Sequence, residues 1–315
     1  MGKEIYKELV QGCYVTIPTM VSDPDLELNI PAIKEHVRFQ IQGGMKTGNA
    51  LLLAGGAAGG FSTMTFDERI EVASAVVEEA NGRIPIIMGA QTTSTRELIQ
   101  LSKSAEKIGA QFIQISPPFY FNHTEEDFYE YVAAAAEASD VGIILYNTHW
   151  TSANISMELV DKLIEIPNMA GLKWSVPNRS NFILERIIEN FKDRINVIDN
   201  ANVFISTHQS GSRAIEIHQA NYWPEWAHDF WNLLENAEYE EAQRQINKVI
   251  RPFYILWEEM ERYTSGDGYL DKLCLECIGF SSSRERPPTR DVREKFREKT
   301  RQMLIESGVP NVIQK

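Results

Sequence analysis

Residues 169–175 read MAGLKWS, a near-continuous apolar run typical of a strand that is buried on both of its faces. Seven further runs have the same texture, and strands of this kind predict a parallel sheet covered by helices. In chain order these runs are YVTIPTM (14–20), NALLLAGG (49–56), IPIIMGA (84–90), FIQISPP (112–118), GIILYNT (142–148), INVIDN (195–200) and RAIEIH (213–218).

The segments between these runs have the spacing of amphipathic helices, and several carry recognisable helix ends. Thr65 followed by Glu68 predicts a capping box. Thr95 and Thr124 predict N-caps, because acidic residues follow each of them in the first turn. Gly109 stands where a C-terminal glycine stop is expected. The clearest of these segments are TFDERIEVASAVVEEA (65–80) and TRELIQLSKSAEKIGA (95–110).

Eight strands alternating with helices over about 220 residues predict an α/β fold, a closed (β/α)8 TIM barrel. A doubly wound open sheet is the alternative, but GGAAGG at 55–60 follows the second strand and does not fit G-x-G-x-x-G. Near residue 225 the strand pattern stops and helical patterns continue. We therefore expect a barrel at 1–224 and a C-terminal helical region at 225–315, with helices at 267–280 and 290–307.

Composition narrows the class of protein. The 315 residues carry 31 basic and 44 acidic side chains, a net charge of −13, which argues against nucleic acid or an anionic membrane as the main partner. The first residues lack the apolar stretch of a signal peptide, and no apolar run reaches membrane-spanning length. Three cysteines make no disulfide framework, so we expect a cytoplasmic protein. The lone C-x-x-C at 274–277 favours helix packing, and we predict neither a metal nor a cofactor.

Lys173 is the single lysine within the eight predicted strands. A (β/α)8 barrel places its site at the carboxyl ends of the strands, and burial of an amine favours the free base, which condenses with carbonyl groups. The alternative is a structural lysine that reaches solvent or pairs with Glu216 or Asp199. The residues alone leave both interpretations open.

Four stretches stand in an order and spacing that, taken together, resemble one family, and a fifth follows near the end of the chain. In this order they resemble the dihydrodipicolinate synthase / N-acetylneuraminate lyase family of class I aldolases. The resemblance covers almost the whole chain and implies a barrel enzyme with a lysine Schiff base. The stretches are GGAAGGFSTMTFDER (55–69), SPPFYFNHTEEDFYEYV (116–132), ILYNTHW (144–150), GLKWS (171–175) and LDKLCLECIGFSSSRERPP (270–288).

The resemblance implies roles for individual residues. Lys173 would be the nucleophile towards a 2-oxo acid, and Tyr146 would be the proton shuttle beside it. The backbone of the loop after the second strand would hold the substrate carboxylate through its N–H groups. Tyr120 matches a tyrosine that a neighbouring subunit supplies in the synthase. The further predicted substrate-binding residues are Gly56, Ala57, Ala58, Gly59, Asn147, Thr151 and Glu216.

The chain also departs from the family pattern. Ala57 and Ala58 replace a Thr-Thr pair whose hydroxyls complete the family's proton relay, so that relay is either lost or rebuilt with water or another hydroxyl such as Ser62. The synthase's substrate-carboxylate arginine falls near Thr151, which argues against dihydrodipicolinate synthesis itself.

Other polar and aromatic groups have no counterpart in that pattern. His149, Trp150 and Trp174 are expected to crowd the mouth of the barrel and to favour a bulky substrate. Glu216 is either an acid–base group or the partner of Arg213, whereas His218 is expected to be structural.

We therefore expect a Schiff-base lyase, either an aldolase or a dehydratase/hydratase, that acts on a small-molecule 2-oxo acid such as pyruvate. The resemblance further implies a homo-oligomer, a tetramer or a dimer. The alternative is an altered barrel that binds 2-oxo acids as a regulatory protein. A metal-dependent hydrolase is disfavoured because the sequence has no H-x-H or comparable cluster.

Overall fold

The structure is a computed structural model that describes residues 3–23, 25–152, 154–177 and 180–314. Within these residues eight parallel strands follow one another in chain order and close into a barrel. This confirms the predicted (β/α)8 architecture, and every strand falls inside a predicted run or within two residues of it. The strands are β1 Gly12–Ile17, β2 Ala50–Ala54, β3 Ile86–Gly89, β4 Phe112–Ile115, β5 Gly142–Asn147, β6 Met169–Trp174, β7 Asn196–Asp199 and β8 Ala214–Glu216.

One helix precedes the first strand, and the others alternate with the strands and continue as far as Ser307. The helices are α1 Lys3–Leu9, α2 Ile30–Gln42, α3 Phe66–Ala80, α4 Thr95–Ile108, α5 Glu125–Ala138, α6 Met157–Ile164, α7 Asn181–Phe191, α8 Phe204–Ser210, α9 Pro224–Glu235, α10 Tyr239–Gln245, α11 Arg251–Met260, α12 Tyr269–Cys277 and α13 Arg293–Ser307. A π-turn at Ile246–Ile250 links α10 to α11. The helices expected at 267–280 and 290–307 correspond to α12 and α13. In the described part of the chain, no helix has both the length and the apolar character to cross a membrane.

The described residues group into two compact units. One contains those of Met1–Tyr14, Lys46–Leu53 and Asn81–Glu216, and the other contains those of Val15–Met45, Ala54–Ala80 and Ile217–Lys315. The first therefore holds most strand residues with α1 and α4 to α8. The second holds α2, α3 and the C-terminal helices. The predicted division after residue 224 stays a prediction.

The helix starts follow the predicted capping residues closely. Thr65 and Glu68 form the reciprocal bonds of a capping box, with Thr65 N–H on Glu68 Oε2 at 2.8 Å and Glu68 N–H on Thr65 Oγ1 at 3.2 Å. Thr124 caps α5 in the same way through Asp127. The prediction for Thr95 was wrong by one residue, because Ser94 is the N-cap of α4.

Helix α1, which the sequence analysis did not predict, packs against the strands of the first unit. Tyr6 lies 5.9 Å from the ring of Phe112, and both belong to the apolar cluster inside the barrel. A Cβ on Gly171 would stand 3.0 Å from Val10 Cγ1, so the close approach of β6 to the residue after α1 favours glycine there. Burial of these side chains accounts for a helix too short to form alone.

A β-bulge in β6 decides which of its side chains face the barrel interior. Ile143 pairs with Met169 and the next residue, Ile144, pairs with Gly171, so Ala170 is an extra residue on β6. Ala170 lies in the interior cluster, and Gly171 faces Ile144 of the same cluster. Side chains alternate along a strand, so Lys173 shares the inward face with Gly171.

Candidate active site

Lys173 lies at the carboxyl end of β6, inside the barrel. Its side chain is 3% exposed, and Nζ lies 4.5 Å from the ring centroid of Tyr146 and 4.7 Å from that of Tyr14. Tyr146 pairs directly with Lys173 across β5 and β6. Two aromatic faces therefore cover the amine, and the predicted lysine and tyrosine lie together. Aromatic faces attract a cation held at such distances.

Glu216 is the ionic partner of this lysine. Its Oε2 lies 2.6 Å from Lys173 Nζ, and its side chain is 11% exposed. Glu216 is two residues beyond Ala214, which belongs to the interior cluster, so both residues face inward from β8. Of the two carboxylates expected as lysine partners, the structure selects Glu216. Arg213, which the sequence analysis considered as a partner of Glu216, has its Nη1 3.4 Å from His208 Nε2.

Tyr14 on β1 is a site residue that the sequence analysis did not identify. It pairs with Glu216 across β1 and β8, and its hydroxyl donates to Gln114 Oε1 at 2.7 Å. Burial, and secondarily the charge of Glu216, raises the pKa of Tyr14 well above its ordinary value. Tyr14 is therefore a neutral phenol at physiological pH. The inward position of Tyr14 depends on the pairing of β1 with β8, which the sequence does not show.

The phenol of Tyr146 is held by a short polar network. Asn200, just beyond β7, donates from Nδ2 to Tyr146 Oη at 2.8 Å and to Ser175 Oγ at 2.6 Å. Ser175 Oγ donates to the Asn200 carbonyl at 2.9 Å. An N–H donated to a phenol oxygen stabilises negative charge that develops there. The arrangement fixes Tyr146 and suits proton transfer at its oxygen.

Asp199, the other carboxylate considered beside Lys173, has a structural environment. Its carboxylate accepts from Ala201 N–H at 2.6 Å, Val203 N–H at 3.3 Å and the Thr207 hydroxyl at 2.7 Å. Burial raises the pKa of Asp199 to about 6, although these hydrogen bonds oppose the shift. Asp199 thus anchors the turn that leads from β7 into α8.

Two further predicted residues lie at the end of β5 and in the loop after it. Asn147 donates to Asn154 Oδ1 at 2.8 Å and to the Ser175 carbonyl at 2.9 Å, so its amide joins this loop to the end of β6. Thr151 is exposed, and its hydroxyl donates to the Thr148 carbonyl at 3.1 Å. Their substrate-binding roles stay predictions.

Two of the three bulky groups expected at the mouth lie in this same loop. Trp150 is 54% exposed and meets the Tyr146 ring edge to face, with centroids 5.6 Å apart. His149 in turn packs edge to face on Trp150. The expectation for Trp174 was wrong: it is 1% exposed and lies on the opposite face of β6 from Lys173, because neighbouring side chains alternate.

The loop after β2 belongs to the second compact unit. Gly59 N–H bonds to the Gly56 carbonyl at 3.1 Å and Gly60 N–H to the Ala57 carbonyl at 2.9 Å. Ala58 is buried, and its carbonyl oxygen would stand only 2.2 Å from a Cβ on Gly268. Two amides of the loop are thus already used within the loop itself, and the predicted binding of a carboxylate by Gly56, Ala57, Ala58 and Gly59 stays a prediction. Ser62 follows in an exposed position.

Tyr120 and His218 have contrasting surroundings. Tyr120 is 85% exposed, packs on Phe121 and has a φ of 89°, in the left-handed region that a tyrosine rarely adopts. Among the residues that the structure describes, none encloses Tyr120. His218 Nδ1 lies 3.0 Å from buried Asp271 Oδ2, and its ring stacks on Phe253. These contacts support the structural role expected for His218, with a partner that sequence reasoning missed.

Comparison with known proteins adds to this geometry. The family model described as the dihydrodipicolinate synthetase family matches residues 13–307. A 4-hydroxy-tetrahydrodipicolinate synthase of Methylococcus capsulatus is 34% identical over 182 residues, which are 58% of this chain and 59% of that relative. A DapA-like lyase of Thermococcus kodakarensis is 29% identical over 306 residues, which are 94% of this chain and 99% of that relative.

Solved structures have the same architecture. The crystal structure of the chloride-inhibited dihydrodipicolinate synthase from Acinetobacter baumannii, complexed with pyruvate, matches with a TM-score of 0.84. It is 25% identical in sequence, and the match covers 95% of this chain and 99% of that chain.

Proposed function

This chain belongs to the dihydrodipicolinate synthetase family, and from that premise we propose that it is a Schiff-base-forming lyase acting on a 2-oxo acid such as pyruvate. The observation that carries the proposal is the environment of Lys173, a buried amine between two aromatic faces with a carboxylate at 2.6 Å. An amine kept from water at a strand end has the properties of an imine-forming nucleophile. Pyruvate in the Acinetobacter synthase supports the choice of substrate class.

In the proposed reaction Lys173 attacks the ketone carbon, water leaves, and the protonated imine withdraws electrons from the adjacent bond. Tyr146 then moves a proton at the bond that breaks or forms, and the amide of Asn200 steadies its oxygen. Backbone N–H groups of the loop after β2 are proposed to hold the substrate carboxylate, as the family resemblance implies. Aldol cleavage, condensation and dehydration all use these steps.

The second substrate is proposed to be larger than aspartate semialdehyde. Trp150, beside Tyr146 and half exposed, offers a flat apolar surface to such a group. Thr151 offers a hydroxyl where the synthase has a guanidinium, which disfavours dihydrodipicolinate synthesis. Trp150→Ala should weaken apparent affinity for an aromatic aldehyde partner and leave pyruvate trapping unchanged. Equal loss for small and aromatic aldehydes would contradict this choice.

Borohydride trapping with pyruvate, followed by intact-mass measurement and peptide mapping, tests the proposal. The wild-type chain should gain one reduced pyruvate group on Lys173, and Lys173→Met should gain none. Lys272→Met is the matched control, because Lys272 is also buried against a carboxylate, Glu285, at 3.0 Å. That variant should keep the adduct. An adduct in Lys173→Met, or none in the wild type across a panel of 2-oxo acids, would sink the proposal.

The alternative, a 2-oxo acid binding protein without turnover, is motivated by the missing Thr-Thr hydroxyls. It predicts a thermal shift with pyruvate but no borohydride-trapped adduct.

The proposed assembly is a homo-oligomer, a tetramer or a dimer. Exposed Tyr120 is a candidate contact between its subunits, and sedimentation velocity measures the oligomeric state. A cytoplasmic location is proposed because Cys13, Cys274 and Cys277 are buried and form no disulfide.

A further inference from the structure

We infer that Glu216 is a catalytic acid–base residue that takes a proton from Lys173 during imine formation and returns it to the departing hydroxyl. The inference rests on the proposed function and deepens it, because it names the proton carrier of the first step. The family pattern supplies hydroxyls for a relay, and this chain has alanines at that place. A carboxylate in contact with the nucleophile is a different way to handle the same protons.

The geometry meets the requirements of direct proton transfer. Glu216 Oε2 and Lys173 Nζ are 2.6 Å apart, within the range of a charge-assisted hydrogen bond. Both side chains face inward, from β8 and β6, and the rings of Tyr14 and Tyr146 cover the amine. The transfer therefore takes place away from bulk water.

The protons balance through the step. The Lys173 ammonium gives one proton to the Glu216 carboxylate, and the free amine adds to the ketone carbon of the 2-oxo acid. A second amine proton moves to the former ketone oxygen and gives a carbinolamine. The Glu216 carboxylic acid then protonates the hydroxyl, the C–O bond breaks and water leaves. A protonated imine remains beside the Glu216 carboxylate, so the residue ends as it began.

A purely ionic role for Glu216 predicts the opposite behaviour. A counter-ion holds Lys173 as the ammonium, so its removal would free the amine and speed its attack. An acid–base role predicts slower imine formation, because the hydroxyl then departs without a positioned acid. The two roles are therefore separated by the sign of one rate change.

The test is the rate constant for borohydride trapping of pyruvate, measured with the full chain by quenched-flow mass spectrometry. Glu216→Gln should lower this rate constant by about 100-fold or more, the usual contribution of a positioned acid–base group. Glu285→Gln is the matched control, a buried carboxylate that pairs with a different lysine, and it should trap at a rate close to wild type. A rate in Glu216→Gln equal to or above wild type overturns the inference.

Chemical rescue provides a second readout that a structural role would not move. Glu216→Ala should trap slowly, and added formate should restore the rate in a saturable way. Near-UV circular dichroism checks that Glu216→Ala is folded, and failure of formate to rescue the folded variant also overturns the inference.

If Glu216→Gln and Glu216→Ala are both unfolded, Glu216→Asp decides the case. Aspartate keeps the carboxylic acid, so this variant should trap pyruvate faster than Glu216→Gln does. If Glu216→Gln is unfolded, the reference rate is that of pyruvate with free lysine. Absence of any adduct in the wild type would instead defeat the proposed function itself.

Discussion

Replacement of Lys173 by methionine should reveal the energetic cost of the buried charge that it leaves behind. The two side chains of the pair are almost entirely enclosed and their charged atoms lie 2.6 Å apart. Loss of one partner from such a pair typically destabilises a protein by about 3–5 kcal/mol. The Glu216 carboxylate limits this cost by taking up a proton, which at pH 7 costs an ordinary glutamate about 4 kcal/mol.

We therefore expect Lys173→Met to lower the free energy of unfolding by about 3–4 kcal/mol at pH 7. The double variant Lys173→Met/Glu216→Leu should lie within about 1 kcal/mol of wild type, because an apolar pair of similar volume fills the space without any charge. Each single variant leaves one charge unpaired and the double variant leaves none, so the loss in the double variant should be smaller than the sum of the two single losses.

Urea unfolding followed by far-UV circular dichroism measures these differences. Arg194→Met is the control, since Arg194 pairs with Asp161 and Glu165 at the surface, and it should lose less than about 1 kcal/mol. If Lys173→Met unfolds within about 1 kcal/mol of wild type, the pair is not the enclosed one described above. A double variant less stable than both single variants would refute the reasoning as well.

Three further substitutions test other polar groups by urea unfolding. Burial raises the pKa of Asp199 to about 6, so the folded chain binds this proton more tightly than the unfolded chain and stability falls as pH rises from about 4 to 6. Asp199→Asn should remove about 3 kcal/mol of this fall in the free energy of unfolding. An unchanged pH profile of stability would contradict the assignment of the fall to Asp199. Burial lowers the pKa of His36 to about 4, so the stability of its neutral form is complete above about pH 6.5 and is lost as pH falls towards 4. His36→Gln should flatten this loss of about 3 kcal/mol, and an equally steep acid limb would show that another group causes it. Arg286 donates to both oxygens of Glu68 and to the Leu26 carbonyl, so Arg286→Lys should cost about 2 kcal/mol, and a loss below about 0.5 kcal/mol would mean that the fork is not required.

The barrel could be predicted from the sequence because each of its strands is a separate signal. Parallel strands covered on both faces are almost continuously apolar, and eight such runs in about 220 residues fit few architectures. Helix α1 was not predicted because its seven residues gain their stability from tertiary burial of Tyr6 rather than from any local pattern. The start of α4 was misplaced because Ser94 and Thr95 are both good capping residues.

The site was harder to predict because side-chain direction depends on strand register. Lys173 faces inward only because Ala170 bulges from β6, and nothing in the run MAGLKWS marks an extra residue. Asp199 and Glu216 both end strands and both were possible partners. Ile198 and Ala214 face the interior, so Asp199 faces outward and Glu216 inward.

The same pair connects the stability of this chain with its proposed chemistry. A buried lysine and glutamate are a poor way to stabilise a barrel, since an apolar pair of equal volume serves about as well. Their retention at the centre of the site is explained if the proton between them is used. Lys173→Met/Glu216→Leu should therefore be as stable as wild type and form no imine, whereas a double variant clearly less stable than wild type would show that the pair stabilises the barrel better than an apolar pair does. Measured side by side, unfolding free energy and trapping separate the two explanations.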